Sequence, residues 1–220
     1  MRGYHFGFGC VALAVTCCRP PLPAGLRPLE GQVDVIDVPL VASRTEVSFL
    51  KHGRANQKTQ VGEYMVSSQW AQSGHGRISI SERNHDVVSF DCHFRTGSHP
   101  TNPRTPFEFA TCSDEARHWL VDVDYGDKCK LRANIGHSLY IYTEPYSQCH
   151  PGAAIALHKG GGKVDRVTNI PEPGPVIAGL ILEADRARLV VPRSEPEREV
   201  AFSLLVTLLA DPRAPIYGWP

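Results

Sequence analysis

The sequence predicts an all-β fold, an antiparallel β-barrel or sandwich carrying two disulfides and a Pro-rich C-terminal extension. Three observations lead there. Apolar and polar residues alternate with a period of two in several short segments. Turn formers are abundant, with 18 Pro and 19 Gly in 220 residues against only 2 Met, which suits short strands better than long helices. Four of the seven cysteines lie in or beside the alternating segments. A chain of this length with 42% hydrophobic residues buries one principal core. Lys and Arg total 23 against 23 Asp and Glu, so no global field draws it to nucleic acid or to an anionic membrane, and neither is an expected partner.

Taken in chain order, "MRGYH" reads as a basic n-region, "FGFGCVALAVTCC" as an apolar h-region and "RPPLPAG" as a breaker-rich exit. Residues 1–25 therefore read as a signal peptide, because the apolar run is shorter than the roughly 20 residues a bilayer span needs. The chain is expected to be secreted and extracellular, with a β domain at 26–165 and an extension of unassigned structure at 166–220. Losing the leader removes Cys10, Cys17 and Cys18 and leaves Cys92, Cys112, Cys129 and Cys149. An even number of cysteines in an oxidising compartment reads as a disulfide framework. Four cysteines allow three pairings; nearest-neighbour closure gives Cys92 with Cys112 and Cys129 with Cys149, each worth roughly 3 kcal/mol in the chain-entropy model.

The strand candidates follow in order. "VDVIDVPLV" (Val33 to Val41), "TEVSFL" (Thr45 to Leu50), "EYMVSSQW" (Glu63 to Trp70) and "RISISER" (Arg77 to Arg83) come first. In "VVSFDCHF", Val88, Phe90, Cys92 and Phe94 share one face, and Val87, Ser89, Asp91 and His93 the other. "HWLVDVDY" sets Trp119, Val121 and Val123 against Leu120, Asp122 and Asp124, and "KCKLRANI" sets Cys129, Leu131, Ala133 and Ile135 against Lys128, Lys130, Arg132 and Asn134. "REVAFSLLVTLLA" near the end satisfies both the strand and the helix period and stays open between them.

The succession "ISISERNHDVVSFDC", "FEFATC" and "SLYIYTEPYSQCHPGA" resembles the fungal secreted disulfide-bonded β-barrel family typified by the major Alternaria allergen, over about residues 61–159. The resemblance implies a bridge from Cys92 to Cys112 and matches Cys149 to a late cysteine.

No catalytic motif is present. The chain has no GxSxG elbow, HExxH helix or Walker loop, and "DVDYGD" puts Gly126 where a calcium loop needs an oxygen ligand. No cofactor and no metal are expected. The cysteines form no CxxC pair, and His93 alternates to the face opposite Cys92, so the two cannot converge on one ion. Two binding surfaces remain. Tyr140 and Tyr142 share a strand face with Tyr146 just beyond, a pattern suited to stacking on sugar rings or anchoring a protein. Arg95, His99 and Arg104 lie in a proline-rich stretch expected to project as a disulfide-tethered loop. The expected function is a secreted, non-catalytic interaction protein, of the kind of a fungal effector or surface antigen. Its partner is a protein or a cell-wall polysaccharide. The alternative is a secreted carbohydrate-active enzyme or a lectin-like module.

Overall fold

In the computed structural model, which describes residues 21–39, 41–42, 47–48, 56–70, 75–83, 85–99, 102–124, 130–137, 139–143, 152–160, 174–183 and 186–209, the chain enters through a 3₁₀ turn at Ala24–Leu29. It continues through β1 (Val33–Pro39), β2 (Val41–Ala42), β3 (Val47–Ser48), β4 (Asn56–Val61), β5 (Tyr64–Trp70), β6 (His75–Glu82) and β7 (His85–His99). Then come β8 (Asn102–Asp114), β9 (Trp119–Asp124), β10 (Lys130–Ile135), β11 (Leu139–Thr143), β12 (Ala154–Lys159), β13 (Val176–Leu182), β14 (Arg186–Pro192) and the helix α1 (Glu197–Leu209). From β4 to β14 each strand pairs with the next in an antiparallel meander, and β1 returns to pair with β14, giving one 12-stranded, nearly closed barrel-like sheet. Strands β2 and β3 form a separate small ladder.

The period-two reading locates the inner face. Val88, Phe90 and Cys92 on β7, Val121 and Val123 on β9, and Leu131, Ala133 and Ile135 on β10 are buried, while Asp91, Asp122, Arg132 and Asn134 point out. Val87 departs from the pattern. It is buried beside Val88 because the register slips there, Ile80 facing Val88 and Ser81 facing Asp86, so Val87 is the extra residue of a β-bulge. An apolar interior and charged exterior is the reverse of a barrel whose outer band faces lipid.

Helix α1 fills that interior. Every residue from Val200 to Leu209 is buried, including Ser203 and Thr207, so the ambiguous C-terminal run resolves as a helix that is apolar on all sides. Tyr64 on β5 stacks on Phe202 with ring centroids 3.9 Å apart. Strands β13 and β14 complete the wall beside the helix. Within the segment expected as an extension at 166–220, β13 and β14 thus supply part of the wall and α1 the plug. Its alternation is weak because β13 and β14 are buried along most of their length: against their outer face, Leu22, Leu26 and Leu29 of the N-terminal segment pack with Ala156, Ile181 and Val190. Gly179 permits this contact, since a Cβ there would lie 2.3 Å from Leu26 Cδ2.

The expected Cys92–Cys112 bridge forms between directly opposed residues of β7 and β8; Cys129 and Cys149 lie outside the described residues. One other expectation changes. The stretch Arg95 to Pro106 is not a loop. Its ladder continues through Gly97↔Phe107 and Ser98↔Pro106 and, after a register shift, His99↔Asn102. Among the described residues, the pairing of β6 with β7 ends at His93 and that of β9 with β8 at Phe109, while residues 94–99 and 102–108 pair with each other as a two-stranded arm.

The barrel closes between β1 and β4 without a ladder. Ile36 on β1 packs against Gly62, where an added Cβ would be 3.2 Å from Ile36 Cγ2. Gly62, with φ +59°, opens the two-residue turn to Glu63, a primed hairpin geometry that glycine favours. Arg198, at the start of α1, spans this seam. It donates to Asp34 on β1 at 2.8 Å and to Glu63 at 2.7 Å, and its Nε lies 3.9 Å from Glu195. The Tyr64 phenol, beside the same cluster, is pushed up to about 12 by burial and the Glu195 carboxylate, against the pull of Arg198. Burial raises the Asp34 carboxyl, but hydrogen bonds from Arg193 and Arg198 outweigh it and hold Asp34 below its ordinary value.

Arg198→Ala removes the cation that three carboxylates share and is expected to cost roughly 2–4 kcal/mol in urea denaturation, below the fully buried case because the side chain keeps some exposure. Because the folded pKa of Asp34 is depressed, its stabilisation is present above the unfolded carboxyl value and is lost as pH falls through the folded one. Asp34→Asn should therefore be less stable at neutral pH and lose stability less steeply on acidification. Ser203 Oγ is buried with no hydrogen-bond partner among the described residues, so Ser203→Ala should leave stability unchanged or raise it by about 1 kcal/mol; a loss above that size would show a hidden partner.

Candidate functional site

Helix α1 is buried in the interior, and the outer wall carries the exposed side chains of the strands. Strand pairing aligns Arg132 on β10, Tyr142 on β11 and His158 on β12 in one cross-strand row. Tyr140, two residues along β11, projects on the same side, since the intervening Ile141 is buried in the core. The three rings form a continuous stack. Tyr140 and Tyr142 have centroids 5.6 Å apart at 21°, and Tyr142 and His158 are 5.6 Å apart at 23°.

Backbone from Gly174 covers part of this stack. The Gly174 N–H donates to Tyr142 Oη at 3.1 Å, and His158 Nδ1 lies 2.9 Å from the Gly174 carbonyl. A carbonyl oxygen only accepts, so Nδ1 carries the proton in that contact. Tyr142 and His158 are consequently buried, at 4% and 5% exposure, and only Tyr140 stays half-buried at the edge. Among the described residues, the expected open row of tyrosines is one accessible ring backed by two covered ones. Gly160 flanks it: a Cβ there would lie 2.6 Å from Tyr140 Cδ1, and the Gly160 N–H donates to the Tyr140 carbonyl. Burial raises the Tyr140 phenol above its ordinary value, Arg132 pulls it down, and Tyr142 and Asp122 push it up. Asp122 faces Arg132 across the ladder and accepts a 2.8 Å hydrogen bond from Thr111 Oγ1.

Tyr146 lies outside the described residues. The backbones of Arg95, His99 and Arg104 are in the β7–β8 arm, two, six and five residues past the last described pairings at His93 and Phe109, while the tyrosine stack is on β11 and β12, so the two are separate surfaces. The sequence reading missed Gly160, Gly174 and His158. Alternation in "AIALHK" puts His158 opposite Ile155 and Leu157, but nothing local marks glycines that act by close approach.

The carboxylates that converge do so around Arg198 rather than across an open cleft. A cavity of about 360 Å³ lies between the N-terminal segment and β1, lined by Pro21, Leu22, Glu30, Val33, Val35 and Arg193. Arg193 is held there by Asp34 at 3.1 Å and by the Gly31 carbonyl at 3.0 Å. No family model, curated protein or solved structure matches this chain.

Tyr142→Phe removes the acceptor of a half-covered backbone N–H. It should cost about 1 kcal/mol and speed hydrogen exchange at Gly174; unchanged exchange would show that the tyrosine does not hold this segment.

Proposed function

We propose that the chain is a secreted, non-catalytic interaction protein that engages its partner on the outside of the barrel. The observation that carries this reading is the helix in the lumen. Phe202, Leu204, Leu205 and Leu208 pack the interior of the barrel, which favours surface side chains as the source of specificity. Tyr140 is the best of these. One face of its ring is backed by Tyr142, and Arg132, Asn134 and Asp122 supply charged and amide groups on the neighbouring strands. An aromatic ring bordered by such groups suits a sugar ring, which offers an apolar face and a rim of hydroxyls, and suits an extended protein segment by the same contacts. The partner class is an extracellular polysaccharide or protein.

Secretion is supported by the leader-like residues 1–25 and by the Cys92–Cys112 bridge, which persists in oxidising surroundings. Leu22 packs on the barrel, which favours cleavage before that residue rather than at residue 25. The resemblance to the Alternaria-allergen type fits an extracellular binder. A carbohydrate-active enzyme is the second reading, and the clustering of acidic residues on an arginine favours it less.

The test is binding of the purified, oxidised protein to a panel of insoluble cell-wall polysaccharides and to immobilised extracellular proteins. Tyr140→Ala should weaken the strongest interaction roughly tenfold, the scale of one aromatic contact of about 1.4 kcal/mol, with the thermal midpoint little changed. Normal binding by this variant would move the site to the β7–β8 arm, and release of reducing sugar would favour the enzyme.

A further inference from the structure

Three neighbouring strands of the outer wall present one open row. Leu120 on β9 faces Asn134 on β10, and Asn134 faces Tyr140 on β11. All three point outward, because Val121, Ala133 and Ile141 next to them are buried in the core. Leu120 is 41% exposed and, among the described residues, stands out as a large apolar side chain left in water. Neighbouring strands lie about 4.8 Å apart, so Leu120 and Tyr140 stand roughly 10 Å from each other with the Asn134 amide between them. That is about the span of two pyranose rings linked end to end. The row beside it holds Asp122 and Arg132, both exposed and opposed across the same ladder. Asp122 Oδ1 accepts from Thr111. Among the described residues, Asp122 Oδ2 has no partner, and neither Asn134 nor Arg132 makes a side-chain hydrogen bond or ion pair.

We propose that this platform binds a neutral oligosaccharide laid across the strands, one sugar ring on Tyr140 and the next on Leu120. The inference rests on the outer-wall binding proposed above and narrows the partner to one class. Tyr140 and Leu120 take the apolar faces of two rings. Between and beside them stand a guanidinium that only donates, a carboxylate that only accepts and an amide that does both. Hydroxyl groups, which donate and accept, satisfy all three. A uronate would bring its carboxylate against Asp122, and an amino sugar its ammonium against Arg132, so the mixed signs disfavour charged rings. A peptide bound as an added strand needs an unpaired strand edge, and β9, β10 and β11 are each paired on both sides. Tyr140 is preorganised: Tyr142 stacks on it at 5.6 Å, and Gly160, having no side chain, lets its ring lie close. Little side-chain freedom is then lost when a sugar stacks there.

The experiment is calorimetric titration of the oxidised full chain with neutral gluco-, manno- and xylo-oligosaccharides of one to six rings and with galacturonate oligomers of the same lengths. Amide spectra of the protein accompany it. At least one neutral series should bind, with affinity rising steeply from one ring to two, and the signals of Leu120, Asn134 and Tyr140 should move together. Leu120→Ala should weaken binding of the two-ring and longer probes roughly fivefold, and Tyr140→Ala roughly tenfold. Lys58→Ala, on the exposed surface of β4, should change neither. Tighter binding of the galacturonates, full-strength binding by Leu120→Ala, or no binding of any neutral series would overturn the glycan assignment. If in that last case Tyr140→Ala still weakens capture of an immobilised extracellular protein, outer-wall binding stands and the glycan assignment alone fails; if it weakens nothing, both fail. Should Tyr140→Ala not fold, Leu120→Ala and the spectra of the unmodified protein decide.

Discussion

A helix that is apolar on every side cannot rest on a surface, and the rest of this fold follows from that constraint. Buried residues run without a break from Val200 to Leu209, so an amphipathic seat on one face of a sheet would leave half of them in water at about 25 cal/mol per Å² of apolar area exposed. A sheet wrapped round the helix removes that exposure. The inward rows of the meander, Val66, Ile80 and Val88 among them, meet the helix from several sides and form one continuous core. The core is therefore built from residues far apart in the chain. Strands near the N-terminus and a helix near the C-terminus become interdependent.

Wrapping leaves a seam, and the helix also supplies the group that spans it. Between β1 and β4 the barrel has packing, Ile36 on Gly62, but no ladder. Arg198 places one cation within reach of Asp34 and Glu63 from the two sides of the gap. Arginine suits this position because its planar fork bonds several acceptors at once and keeps its charge. Glu195 adds a second role, accepting from the Glu199 N–H at 3.3 Å in the first turn of the helix. Closure and helix anchoring thus share the same side chains.

The helix takes up the interior, and the outer wall carries a tyrosine backed by covered rings on β11 and β12, a histidine pair on β6 and β7, and a two-stranded arm beyond the disulfide. The tyrosine and the histidine pair are on separate ladders, with β8, β9 and β10 between them, and backbone hydrogen bonds fix the spacing within each, so that each presents a preorganised surface.

The sequence by itself determined the strand periodicity and its inward set, because alternation is a local property: Phe90, Cys92, Val121, Leu131 and Ala133 were legible from spacing alone. It also indicated the pairing of Cys92 with Cys112, through nearest-neighbour closure. It did not disclose β4, whose "NQKTQV" is polar because the strand borders the seam and buries only Val61 among its described side chains, nor β13 and β14, covered on both faces by α1 and the N-terminal leucines. Tertiary structure alone decided that the C-terminal run is a helix, since helix and strand periods both fit and only enclosure by the barrel distinguishes them. It alone brought Arg198 to Asp34 and His75 to His93. Those contacts depend on which strands become neighbours, and strand order is set by burial of the whole core rather than by any residue's immediate sequence.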